Sequence, residues 1–320
     1  MCGSSRAGPA AERFATLARV IDSAPAGSGS RQYVKLCDRR DFEDEQLMAM
    51  LREIAGPAVK PGTEVHRKLW EYAMLGLYLS DAGALHEDAE ALAVAAGSEE
   101  PLYWLANRIG RVLATDIYGE GDFAYREAAA SMLTDPAAFA PYSYRADRLE
   151  VRSMNALALD VPDESFDIVY SLSSIEHFGG PPETAAAARE MARVLRPGGH
   201  LVIVTECLLG RHLLDVPLVN YAIRIASRGK RCATATPRRR ATDAFTPHEL
   251  QRDIIGPSGL QLVQPLSLEQ SPESFDNIIR WNFDGTLDEE RANSRPHIVL
   301  KAFGAPWTSA FLALRKPQRG

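Results

Sequence analysis

Between residues 91 and 206, five short apolar runs alternate with helix-patterned stretches, and no other feature restricts the possible folds as much. ALAVAA (91–96), RVLATD (111–116), LEVRSM (149–154), FDIVYSL (166–172) and HLVIVTE (200–206) have strand length and apolar character. Between them lie PLYWLANRIG, a long insert before LEVRSM, and TAAAAREMARVLRPGG, an Ala-rich helix stopped by Pro197, Gly198 and Gly199. Apolar strands separated by helices predict a parallel sheet buried on both faces, a doubly wound α/β fold. Further on, TPHELQRDI reads as a capped helix, GLQLVQPLSL (259–268) as a sixth strand and WTSAFLALRKP (307–317) as the last.

Upstream, residues 1–30 are rich in Ala, Gly, Ser and Pro and predict a frayed start. A helix is expected from Asp41 to Ile54, ended by Gly56-Pro57. In TEVHRKLWEYAMLGLYLSDAG, residues Val65, Leu69, Tyr72, Ala73 and Gly76 fall at helical spacing, with Thr63 as the expected cap and Gly83 as the stop. This amphipathic helix precedes the first expected strand and is placed to pack over the sheet.

The chain has 320 residues, 46% of them hydrophobic and 24% charged, the balance of an ordinary soluble globular protein. Its net charge of −6 excludes a general nucleic-acid binder. Cys2, Cys37, Cys207 and Cys232 form no CxxC pair, so reduced thiols in a cytoplasm are the simplest reading. No apolar run spans a membrane, and MCGSSRAGPAAERF lacks a signal-peptide core.

In such a sheet, ligands bind beyond the carboxyl ends of the strands. Here these ends are Ala95–Ser98, Asp116–Tyr118, Asn155–Ala156, Ser171–Ser174 and Thr205–Glu206. Asp116 lies 19 positions after Gly97, near the offset at which an acid grips ribose hydroxyls; the bland alternative is a strand-end Asp capping the next turn. A dinucleotide loop needs G-x-G-x-x-G, whereas Gly97 is followed by Ser98, Glu99, Glu100 and Pro101. Two carboxylates suit a helix N-terminus but repel a pyrophosphate. They suit a cofactor with a cationic end and no phosphates, such as S-adenosylmethionine.

Four motifs in order then resemble a class I S-adenosylmethionine-dependent methyltransferase: ALAVAAGSEE, VLATDIY, LALDVPDESFDIVYSLSSIEHF and REMARVLRPGGHLVIVTE. The resemblance covers roughly residues 86–265. It implies a Rossmann-like doubly wound sheet of seven strands, mostly parallel with an antiparallel last strand, plus an N-terminal helical extension and an inserted lid. It implies a division into 1–85 (start and helical extension), 86–206 (cofactor core), 207–245 (lid) and 246–320 (completion of the sheet). By position, Gly97 lets the backbone approach the cofactor and Asp116 holds the ribose with Ile117 beside it. Asn155 and Ala156 line the adenine, and Ser171, Leu172 and Ser173 form the floor beneath the sulfonium. The family usually has Asp near Ala93 and glycines near Ala95 and Glu99. Ala95 is small enough for a nearby ligand, and Glu99 is the expected substitute for the missing Asp. A subset of bacterial small-molecule methyltransferases with a Gly-x-Glu loop resembles the chain most.

Methyl transfer relies mainly on alignment, and a base is needed only where the acceptor loses a proton. His177, Glu206 and His212 are the candidates. The bland alternatives are a loop hydrogen bond for His177 and a salt bridge to a lid arginine for Glu206; His212 opens the insertion, where it can swing over the pocket. His66, His86, His200, His248 and His297 carry no constellation, and no acidic cluster of the metal-dependent type is present, so no metal is expected. Residues 207–245 carry Arg228, Lys230 and Arg231, then Arg238, Arg239 and Arg240. These are either a solvated loop or an electrostatic gate for an anionic or carrier-linked acceptor.

The expected activity is methyl transfer to a small-molecule acceptor, a hydroxyl of a sugar or secondary metabolite, with S-adenosylhomocysteine as the other product. The rivals are a non-catalytic cofactor-binding partner subunit and a cofactor-assisted enzyme that does not methylate. No nucleic-acid or membrane partner is expected, and a homodimer is left open.

Overall fold

Strand-forming segments far apart in the sequence share one mixed sheet in the computed structural model, which describes residues 31–319 except 122, 126, 211–224, 226–242, 281–286, 303 and 304. Its strands are β1 (Lys35–Leu36), β2 (Glu90–Val94), β3 (Arg111–Asp116), β4 (Leu149–Ser153), β5 (Phe166–Leu172), β6 (Leu195–Leu208), β7 (Gln261–Leu262), β8 (Ile278–Arg280), β9 (Val299–Ala302) and β10 (Ala305–Arg315). The order is β4-β3-β2-β5-β6-β10-β9-β8, with β1 and β7 also paired to β10. From β4 to β6 every pairing is parallel. The chain reverses at β10, which runs antiparallel to β6 from Trp307↔Leu208 to Arg315↔His200. The doubly wound Rossmann-like class and the antiparallel last strand are as expected.

The sheet has ten strands rather than seven. β10 is long, and its second edge is divided among three partners: β9 at Ala305–Trp307, β1 at Ala310–Phe311 and β7 at Leu314–Arg315. The expected strand 259–268 therefore shrinks to Gln261–Leu262, because β1 already occupies the next stretch of that edge. Pro265, which lacks an N–H, also falls in this run. β8 and β9 lie beyond, around a second small apolar cluster that includes Ile279, Leu300 and Trp307.

Four helices position the site: α1 (Glu45–Ala55), α2 (Arg67–Asp81), α3 (Pro101–Ala106) and α4 (Pro181–Val194). α2 is capped by His66, whose ring nitrogen accepts from the Lys68 N–H at 3.1 Å, rather than by Thr63. Every residue from Trp70 to Leu79 in α2 is buried, so the helix is enclosed rather than amphipathic. α1 covers its outer side so closely that a methyl group on Gly76 would stand 2.6 Å from Met50 Sδ. This close packing fastens α2 beside β10 with its N-terminal turn at the carboxyl ends of β5 and β6. Among the described residues, no helix is long and apolar enough to cross a membrane.

Candidate active site

The loop after β2 turns sharply. Ala95 and Gly97 both have left-handed backbones, with φ of 53° and 51°. That geometry is uncommon for alanine, and it puts strain where the chain leaves the strand. The Gly97 N–H donates to Asp116 Oδ2 at 2.9 Å, and the Ile117 N–H donates to Oδ1 at 2.7 Å. Asp116 thus joins the ends of β2 and β3, and each of its oxygens retains a second lone pair. Burial raises its pKa, while the two backbone donors lower it. The Tyr118 hydroxyl donates to the Gly97 carbonyl at 2.7 Å. A methyl group on Gly97 would meet the Glu127 carbonyl at 2.7 Å, so the segment after β3 folds back over the loop.

The neighbouring strand ends complete the floor. Asn155 is exposed beyond β4, and its Oδ1 accepts from the Leu157 N–H at 2.9 Å, which leaves its amide donors open. Ala156 beside it is half-buried, and Ile117 is exposed. Ser171 and Leu172 are buried at the end of β5, and the Ser171 hydroxyl has no partner. Ser173 is left-handed, with φ of 48°, and its hydroxyl donates to both oxygens of Glu71 at 2.9 Å. The Ser174 hydroxyl donates to the Ala95 carbonyl at 3.0 Å, which joins this end to the loop after β2. The ten residues expected at the cofactor thus lie at the carboxyl ends of four adjacent strands, β4-β3-β2-β5.

Above them runs a chain of alternating charge. Glu99 Oε1 is 2.6 Å from Lys68 Nζ, Lys68 is 3.4 Å from Glu71, Glu71 is 3.3 Å from Arg67, and Arg67 is 2.7 Å from Glu206. Glu71 is wholly buried and fully bonded, taking a further hydrogen bond from Ser309 at 2.6 Å. Glu176, also buried, accepts from the Thr205 hydroxyl at 2.7 Å. Among the described residues, three buried atoms of this chain of charges have no partner: Glu99 Oε2, Glu206 Oε2 and Arg67 Nε. Burial pushes the Glu99 carboxyl up to about 7 against the pull of Lys68. Glu206 and Glu176 are raised as well, first by burial and then by like charge, Arg67 opposing at Glu206 and the Thr205 hydrogen bond at Glu176.

Arg67, Lys68, Glu71 and Glu176 were not singled out from the sequence. One signal was present: Glu71 is an acid inside the otherwise apolar run WEYAMLGLYL. Among the described residues, the cation beside Glu206 is Arg67 of the N-terminal helix; the lid arginines lie outside them. His177 is exposed on the rim, its ring 5.0 Å from that of Phe123 and its Nδ1 3.7 Å from Asp243. His212 and the basic runs Arg228, Lys230, Arg231 and Arg238–Arg240 lie outside the described residues. Among those described, no group of three His, Cys, Asp or Glu side chains is arranged to hold a metal. A cavity of about 450 Å³ lies at the other end of the sheet, where Arg111, Arg152 and Arg196 already pair with Glu90, Glu150 and Asp167. It is a surface ion-pair lattice, remote from these strand ends.

A family model described as a methyltransferase domain matches residues 92–203, from β2 into β6. Over 144 residues the chain is 33% identical to the ubiquinone/menaquinone biosynthesis C-methyltransferase UbiE of Roseobacter denitrificans, covering 41% of this chain and 56% of that protein. Over 57 residues it is 42% identical to the 27-O-demethylrifamycin SV methyltransferase of Amycolatopsis mediterranei, covering 18% of this chain and 20% of that one. The chain thus spans between a fifth and just over half the length of these relatives. A solved geranyl diphosphate methyltransferase in complex with S-adenosylmethionine superimposes with a TM-score of 0.45 at 15% identity, over 82% of this chain and 94% of that one. Residues 92–203 are a class I S-adenosylmethionine-dependent methyltransferase domain, whose cofactor is S-adenosylmethionine.

Proposed function

We propose that the whole chain transfers the cofactor's methyl group to a hydroxyl of a small-molecule acceptor, a sugar or secondary metabolite. The observation that carries this reading is the Oε2 atom of Glu206, buried, unpaired and at the end of β6 next to the cofactor-side strands.

The residues present fit the cofactor. Glu99 Oε2 is a buried acceptor without a donor, Asp116 keeps lone pairs for two vicinal hydroxyls, and the Asn155 amide is open to an adenine edge. When bound, S-adenosylmethionine supplies a methyl group already activated on a sulfonium. Asp116 and Asn155 then hold the nucleoside, Glu99 the ammonium, and Ser171, Leu172 and Ser173 the floor, with Ala95 and Gly97 leaving the backbone accessible. Glu71 acts indirectly, by fixing Ser173 and both cations of α2. Glu206 Oε2 accepts the proton of the acceptor hydroxyl as its oxygen attacks, and Arg67 holds that carboxylate in place. A base whose pKa is raised toward the working pH suits this step. His177 stands at the rim as the acceptor's outer contact. The names of the two relatives, one a 27-O-demethylrifamycin SV methyltransferase and the other a C-methyltransferase of ubiquinone/menaquinone biosynthesis, support a small molecule over a macromolecule.

The test is transfer of an isotopically labelled methyl group to a panel of hydroxylated small molecules, with mass spectrometry locating the label. Label on oxygen, lost in Glu206→Gln, is the expected result. Label found only on carbon or nitrogen would sink the hydroxyl assignment.

A further inference from the structure

Among the described residues, charge does not balance in the chain from Glu99 to Glu206. Two cations there, Arg67 and Lys68, face four carboxylates: Glu71, Glu99, Glu176 and Glu206. The surroundings are dry. Glu71 is 0% exposed, Glu176 3% and Glu206 7%. Glu71 is saturated by its two cations and two hydroxyls, so it is not where the deficit lies. The open places are the second oxygens of Glu99 and Glu206, one at each end of the chain. Other charged groups among the described residues do not fill them. Glu100 adds a like charge beside Glu99. His177 lies beyond Glu206 on the rim, its Nδ1 3.7 Å from Asp243. His66 and His297, stacked 4.0 Å apart near Arg67, are held neutral by burial. Buried carboxylates in excess of their cations take up protons unless a cation reaches them.

We propose that this chain of side chains is a cation site whose missing positive charge is carried by protons in the free protein and by the cofactor's own charge in the complex. The inference rests on the cofactor reading above and goes beyond it. S-adenosylmethionine carries a sulfonium and an ammonium against one carboxylate. S-adenosylhomocysteine has lost the sulfonium charge. The site therefore releases protons when it takes the substrate form of the cofactor and takes some back once the methyl group has left. The same site distinguishes substrate from product by charge, which favours product release.

The raised carboxyls set the sign of the pH dependence. Below about 7 Glu99 is protonated in the free protein and must lose that proton to hold a cation, so affinity for S-adenosylmethionine rises with pH. One linked proton corresponds to roughly a tenfold tighter Kd between pH 6 and pH 8, levelling off above 7. S-adenosylhomocysteine keeps the ammonium and shares the proton linked to Glu99; its profile is flatter only by the protons of Glu206 and Glu176 that answer the sulfonium charge.

Titration calorimetry on the full chain, in two buffers of different ionisation enthalpy, counts the protons directly. The expected result is proton release with S-adenosylmethionine, less with S-adenosylhomocysteine, and a smaller difference between the two in Glu206→Gln and in Glu176→Gln. If a variant does not fold, the comparison of the two ligands on the unaltered protein still decides. Binding of both ligands with equal proton counts and parallel pH profiles overturns this inference alone. Failure of both to bind at any pH overturns it together with the cofactor assignment.

Discussion

Lys68 Nζ lies 2.6 Å from Glu99 Oε1, and this contact joins the N-terminal helix α2 to the loop that follows the first strand of the methyltransferase domain. The two side chains retain 29% and 13% of their exposure. Burial works against the Lys68 charge, yet Glu99 and Glu71 together hold it above its ordinary value. The part of the chain outside the matched domain thus supplies a first contact of the cofactor loop.

Lys68→Met should therefore destabilise the free protein. Breaking a fully buried pair costs about 3–5 kcal/mol, and the partial exposure here puts the expectation at roughly 2–4 kcal/mol at pH 8. At pH 6 the loss should be smaller, because Glu99 then carries a proton in place of its partner. Lys68→Met combined with Glu99→Leu should recover much of the stability. Chemical denaturation at the two pH values checks this, and an equal loss at both would refute the role given to Glu99.

Asp116→Ala should weaken S-adenosylmethionine by about 1–3 kcal/mol, the range for leaving a hydrogen-bonded site unfilled. The same change frees the Gly97 and Ile117 N–H groups, so the loop loosens as well. Asp116→Asn, which keeps one acceptor, should lose less. Calorimetry with both forms of the cofactor separates the three proteins.

Gly97→Ala tests the segment folded over the loop. Ala95 shows that a methyl group is tolerated here in a left-handed backbone, at φ of 53°. At Gly97 the same methyl group would stand 2.7 Å from the Glu127 carbonyl, so the steric contact is the decisive difference. The left-handed backbone costs about 1–2 kcal/mol, and displacement of the segment adds to it. Hydrogen exchange should rise at residues 118–130 in this variant. Unchanged protection there would mean that the segment does not depend on the glycine.

The stacked pair His66 and His297 makes a separate contribution to acid stability. Burial lowers His66 to about 2, with His297 and Arg67 adding to it, and burial lowers His297 to about 4, with Arg67 adding to it. Both rings stay neutral in the folded state while the unfolded chain takes up protons below 6.5. Their contribution is therefore complete above 6.5 and is lost as pH falls toward 4. His297→Phe keeps a ring against His66 and removes one titration, so its stability should fall less steeply over that window. Ring signals in NMR should show both histidines neutral at pH 5.

Much of the fold was legible in the sequence because it depends on local pattern. Apolar runs of strand length between helices demand a buried parallel sheet, and β2, β3, β5 and β6 lie where those runs predict. The glycine loop and Asp116 were legible for the same reason, since the turn out of a strand is written in its own residues. β1, β8 and β9 were not. Each has only two to four residues; β1 and β9 pair on the stretches of the β10 edge that remain open, and β8 pairs in turn with β9.

The charge chain belongs wholly to the tertiary structure. Arg67, Lys68 and Glu71 occupy one turn of a helix whose helical pattern can be read from sequence, but their partners Glu99, Ser173, Glu206 and Ser309 lie on four separate later segments. No local pattern links them, because each contact depends on where α1 presses α2 against the sheet. The sequence by itself determined an acid-tipped strand beside a glycine loop whose two following glutamates do not suit a pyrophosphate. Only packing decided that a buried helix would bring two cations to four carboxylates there, because burial alone turns those charges from solvated surface groups into partners that must be matched.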